Sequence, residues 1–126
     1  MTAYADVTYY IEQFYGTAIA QDEFPRLALR ASSVIDAATF GRAATVIDAN
    51  EDAVTVAAIR NATCAVAEVL AELASGEIAS ERVGEHSVSY TQTPEQKVPG
   101  LVRMLRAAKP YLASTGLMYA GVDDVA

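Results

Sequence analysis

The stretch between Asn50 and Gly76 limits the fold more than any other part of this chain. Glu51 and Asp52 supply the acidic first turn that suits a helix N-terminus. Val56, Ile59, Thr63, Val66, Ala67, Leu70 and Leu73 then recur at helical spacing. Val54, Ala58, Ala62, Ala65 and Val69 carry apolar character onto other sides. A helix apolar on more than one side belongs in the middle, with other helices packed around it. The pattern predicts a central helix from just after Asn50 to Ala74 or Ser75, stopped by Gly76. Glu68 and Glu72 are like charges one turn apart, so they must face water or a basic partner.

Three shorter helices can surround it. Asp6 is placed to cap a first helix whose face is Val7, Tyr10, Ile11 and Phe14, with Gly16 as its stop. A second follows Asp22, with Glu23 and Pro25 in its first turn. Its stripe is Phe24, Leu27, Ala28, Ala31, Val34, Ile35 and Ala38, and Gly41 ends it. The last begins at Pro99, buries Leu101, Val102, Leu105, Ala108 and Leu112, and turns Arg103, Arg106 and Lys109 outward. Pro110 removes a helical hydrogen bond, which predicts a break near Lys109 or a kink.

Residues 78–90 read differently. Val83, Gly84, Ser87, Val88, Ser89 and Tyr90 favour extended backbone, and Val88 and Tyr90 alternate with serines. An extended arm over 77–93 leaves backbone donors and acceptors for a neighbouring chain to pair with. The expected fold is all-α: one domain over 1–126, a small bundle of about four helices, with this arm between helices three and four. Residues 114–126 form an apolar, glycine-bounded tail that must dock somewhere.

A length of 126 residues fits one domain. Hydrophobic residues are 52%, but alanine supplies much of that and buries little area per residue. The core is therefore thin, and part of the apolar surface is expected to be buried only on assembly. Net charge is −7, from 16 acidic and 9 basic residues, which disfavours a tight grip on phosphates. The charge is segregated. Residues 44–81 hold seven acidic side chains and one basic, Arg60, whereas 97–112 hold four basic and no acidic ones. Opposed patches suit head-to-tail contact between identical subunits, although two ordinary solvated faces would read the same way.

Little in the chain points to chemistry. Cys64, the only cysteine, sits in a helical apolar pattern and reads as a buried small residue. His86 has Glu81 and Glu85 nearby, but in an extended segment Glu85 and His86 point to opposite sides. A solvated or interface histidine is the default, ahead of a general base or a metal ligand. Gly84 stands alone without phosphate-loop spacing, and Ser32, Ser33 and Ser87 lack a nucleophile-elbow context. No catalytic, cofactor-binding or metal residues are assigned. Residues 1–6 carry no basic signal-peptide region, and no apolar run is expected to approach the roughly 20 residues of a membrane span. Cytoplasm, or a particle assembled there, is the expected location.

Four strings carry a family resemblance. They are Tyr9-Tyr10 with Tyr15-Gly16; Phe24-Pro25-Arg26-Leu27-Ala28-Leu29-Arg30-Ala31-Ser32 leading to Ile35-Asp36 and Thr39-Phe40-Gly41-Arg42; Ile78-Ala79-Ser80-Glu81-Arg82-Val83-Gly84 with Ser87-Val88-Ser89-Tyr90; and Tyr111-Leu112 with Thr115-Gly116-Leu117-Met118-Tyr119-Ala120-Gly121-Val122. In this order the chain resembles the head–tail connector (adaptor) proteins of long-tailed bacteriophages and prophages. The resemblance implies a non-enzymatic virion protein that forms a ring, commonly of twelve subunits. Such a ring docks on the portal protein at the capsid vertex, extends the DNA channel without holding DNA tightly, and carries the stopper or tail-completion protein. The contacts with itself and its partners are expected from Ser80, Glu81, Val83, Gly84, Ser87, Val88, Tyr90, Arg103, Arg106, Leu117, Met118 and Tyr119. The rival readings are a helical nucleic-acid-binding module using Arg26, Arg30 and Arg42, an enzyme using His86 with Glu81 or Glu85, and a related joining factor such as a stopper.

Overall fold

The computed structural model describes residues 3–83 and 99–118, with 75–83 as helical backbone only. The described residues form five α-helices and no strand: α1 Val7–Glu12, α2 Phe24–Ala38, α3 Arg42–Ala49, α4 Ala53–Val83 and α5 Gly100–Leu112. A 3-10 turn over Ala113–Thr115 follows α5. The all-α bundle is as expected, and α4 is its axis, with α2 and α5 packed along it.

Local chemistry explains most of the boundaries. Asp6 caps α1 by accepting from the Tyr9 N–H at 2.8 Å. Pro25 lies in the first turn of α2, where a missing N–H is harmless, but the residue before that helix is Glu23 rather than Asp22 and no side chain caps it. The α2 stripe is buried at Phe24, Leu27, Ala28, Ala31 and Ile35. At its end Phe40 and Gly41 both take positive φ, and the Gly41 N–H donates to Asp36 O at 2.8 Å. Thr39 joins two helices: its hydroxyl donates to Ile35 O at 2.8 Å and accepts from the Ala43 N–H at 3.2 Å.

That corner starts α3, a helix the sequence pattern did not announce. Asn50 closes it in the left-handed region, its N–H on Val46 O at 2.9 Å. Asp52 then holds the α4 entry, accepting from the Thr55 N–H at 3.3 Å and the Thr55 hydroxyl at 2.7 Å. Those bonds hold its carboxyl below the usual range.

Further expectations need correction. Gly76 does not stop α4, which continues to Val83. One glycine costs a helix interior only about 1 kcal/mol, and Glu77, Ile78, Ala79, Glu81 and Arg82 all tolerate helix. The arm expected over 77–93 is thus helical at 77–83, including Ser80, Glu81 and Val83; its remainder lies outside the described residues. α5 is also rotated from its expected face. Met104, Ala108, Tyr111 and Leu112 meet the core, whereas Leu101 and Val102 are exposed. The Tyr111 ring sits 6.2 Å from Phe14, and the close approach of Gly100 to Leu73 fixes the other end of α5. Finally, of the break or kink expected near Lys109, the break does not occur: α5 runs through Pro110 to Leu112. Pro110 lies in the last turn, so only one helical bond is forgone, and the Ala113 N–H closes on Lys109 O. Gly116 then turns the chain with φ 75°.

The centre is small and tightly filled. Tyr10 is fully buried, stacked on Phe24 at 4.5 Å and Phe14 at 5.9 Å between ring centroids. Its hydroxyl donates to Glu68 at 2.8 Å and accepts from the Ala18 and Ile19 N–H groups at 3.0 and 3.1 Å. Tyr4 pins the N-terminal segment across the bundle. Its N–H donates to Ser32 Oγ at 2.9 Å, its hydroxyl donates to Asp36, and its carbonyl accepts from Arg60 at 2.7 Å.

By length and composition, Ala53–Ala74 within α4 could cross a membrane, contrary to the expectation that no run approaches that size. Here its Val56, Ile59, Val66 and Ala67 form the bundle core, the pattern of a central helix.

Candidate functional site

α4 and α5 leave a shallow groove of about 500 Å³ between the start of α4 and the end of α5. Its walls are Ala53, Val54, Ala57, Ala58, Asn61, Pro110 and Tyr111. The α4 residues in that set repeat at i, i+1, i+4, i+5 and i+8, the face left when Val56, Ile59 and Thr63 turn to the core. Alanine makes this face flat, so a second surface can come close. Val54 at its edge is 80% exposed.

Acidic charge marks this end of the molecule, and basic charge runs along α5. Asp48, Glu51 and Asp52 are all exposed at the α3–α4 corner. On α5, exposed Leu101 and Val102 precede exposed Arg106 and Lys109. Within the chain, among the described residues, neither Arg106 nor Lys109 is in an ion pair. Arg103 is different: its guanidinium meets Glu72 at 2.6 Å and ties α5 to α4. The two like-charged glutamates of α4 therefore find separate partners, Tyr10 for Glu68 and Arg103 for Glu72.

The other residues singled out from sequence fall as follows. Leu117 and Met118 are half-buried and pack back on the core, so the tail starts by closing the bundle. Gly84, Ser87, Val88, Tyr90 and Tyr119 lie outside the described residues, as do Glu85 and His86. Cys64 is fully buried, and burial first, then the negative charges of Glu68 and Asp6, push its thiol up to about 12. It is a core residue without thiolate character at neutral pH. Among the described residues no group of three His, Cys, Asp or Glu side chains is placed to hold a metal ion. Arg26 is paired with Glu23 at 2.7 Å, and Arg42 donates to Thr39 O at 3.1 Å while covering the exposed Phe40 ring at 5.3 Å. Arg30, the third arginine of the nucleic-acid reading, is exposed.

The sequence pattern alone does not place Val54, Leu101 and Val102 on the surface. The usable signal was in the pattern: Val54 falls outside the central α4 stripe, and Met104 competes with Leu101 and Val102 for the buried side of α5. No protein-family model matches this chain, and no curated protein or solved structure matches it significantly.

Proposed function

We propose that this protein is a structural subunit of the ring adaptor that joins the portal of a DNA-filled phage head to the stopper or tail. The observation that carries this reading is exposed apolar surface beside segregated charge. Val54, Leu101 and Phe40 stand 80%, 55% and 60% exposed on a helical bundle whose acidic corner and basic helix face water. Surfaces of this kind serve contact between proteins. The ring, the portal and the stopper come from the family resemblance, and the location is the virion's head–tail junction, assembled in the host cytoplasm. A net charge of −7 suits a channel wall that DNA passes without sticking.

The test is to add the purified protein to portal-bearing, DNA-filled heads that lack a connector and examine the vertex by electron microscopy. A ring of density on the portal, together with tail attachment, is the expected result. Heads that stay bare at saturating protein overturn the proposal. Retention on heparin at about 0.1 M salt would favour the nucleic-acid module instead.

A further inference from the structure

We infer that the outward face of α5 in one copy docks on the α3–α4 corner of the next, joining copies head to tail. This rests on the ring reading and names the surfaces that would make the ring. The α5 face offers Val102, 37% exposed, with Arg106 and Lys109 further along the same side, and Leu101, 55% exposed, in the first turn beside it. The corner offers Val54, 80% exposed, with Asp48, Glu51 and Asp52 before it. Each patch therefore holds exposed aliphatic carbon next to charge of a single sign, and the two signs are opposite. Neither fits a copy of itself, because like charges would meet. The alanine face behind Val54 leaves room for a helix to lie close. Two different patches on one chain make a heterologous contact, which closes into a ring or grows open-ended.

Two other exposed features name no partner. Phe40 is already covered on one face by Arg42, and Tyr15 stands alone at 80% exposure with no charge pattern around it that names a partner.

The experiment is disulfide trapping with the full chain carrying Val54→Cys and Val102→Cys. Cys64 is buried with its thiol pushed up, so it stays silent under mild oxidation. A ladder of covalent oligomers is expected. Reversing one patch with Arg106→Glu and Lys109→Glu, or the other with Asp48→Lys and Glu51→Lys, should lower the ladder about tenfold. An equimolar mixture of the two reversed chains should restore it, since every contact between unlike chains is again opposite in charge. Unchanged helical circular dichroism certifies each variant. Arg106→Gln with Lys109→Gln, expected to give a partial loss, takes over if a reversed chain unfolds. No cross-link, a dimer alone, or a ladder indifferent to charge reversal overturns the contact. A chain that rings the portal yet yields no ladder keeps its adaptor function and loses this interface.

Discussion

Tyr10 shows how much of this small core rests on single side chains. Its ring fills the space between Phe14 and Phe24, and its hydroxyl serves Glu68, Ala18 and Ile19 at once. Gly16 is required because of that ring: a Cβ there would stand 2.0 Å from Tyr10 Cε1. Gly16→Ala is expected to destabilise the fold by about 1–3 kcal/mol through forced displacement of packed atoms, read as a lower urea midpoint. Tyr10→Phe leaves two backbone N–H groups without their acceptor and should cost a similar ~1–3 kcal/mol. The same hydroxyl makes the fold sensitive to alkali. Burial first, then the Glu68 carboxylate, push the Tyr10 pKa from 10.0 up to about 12. The unfolded chain releases that proton earlier, so the stabilisation is complete below pH 10 and is lost as pH rises through 12. Cys64 acts in the same direction from its ordinary 9.0 up to about 12, and Tyr4 is raised as well. Thermal midpoints should therefore fall steadily from about pH 9 upward, and the slope should be shallower in Tyr10→Phe. An equal slope in both proteins would assign the alkaline loss to other groups.

Among the elements, α2 and α4 depend on closeness. Ala28 and Ala31 on α2 and Ala67 on α4 are fully buried where small side chains let helices approach. Ala31→Leu should overpack that seam and cost about 1–3 kcal/mol, while Leu29→Ala, at an exposed α2 position, should change the melting temperature little. The seam was readable from sequence because its period is regular and its partners are the longest apolar patterns. The same holds for Asp6 as a cap, for the placement of Pro25 and for the burial of Cys64. α3 was not readable: its eight residues carry no cap signal, and it exists because Thr39, Phe40 and Gly41 turn the chain in a way that propensity does not reveal. The length of α4 was misread because Gly76 was given the weight of a stop when it is only a mild cost within good helix formers. The face of α5 was misread because Leu101 and Val102 are as apolar as Met104. Packing of Tyr111 on Phe14, a contact distant in sequence, decided the rotation. That rotation leaves Val102 on the outer face beside the basic residues that sequence already placed there, so this apolar part of the candidate site follows from tertiary contact.

At the scale of the whole molecule, the thin core and the exposed aliphatic residues have one common consequence. A bundle built largely on alanine gains less from burial than one built on leucine, so burial left undone within one copy is available between copies. Anything that binds the native chain and not the unfolded one raises its stability by mass action, and a second native copy does so in proportion to concentration. The thermal midpoint should therefore climb as protein concentration is raised a hundredfold, with a gain in unfolding free energy of about 2–3 kcal/mol if the weakest concentration lies near the dissociation constant. Salt separates the sources of that gain. The apolar part of a contact through Val54, Leu101 and Val102 survives added salt, whereas its steering by Asp48, Glu51, Arg106 and Lys109 weakens as the screening length falls from about 10 Å to about 3 Å between 0.1 and 1 M. The concentration dependence should be steepest in dilute buffer, reduced at 1 M sodium chloride, and shifted to about tenfold higher concentration by Arg106→Glu with Lys109→Glu at low salt. A midpoint that ignores concentration in all three conditions would mean that the free chain is self-sufficient, and that only a docking surface outside itself can bring its copies together.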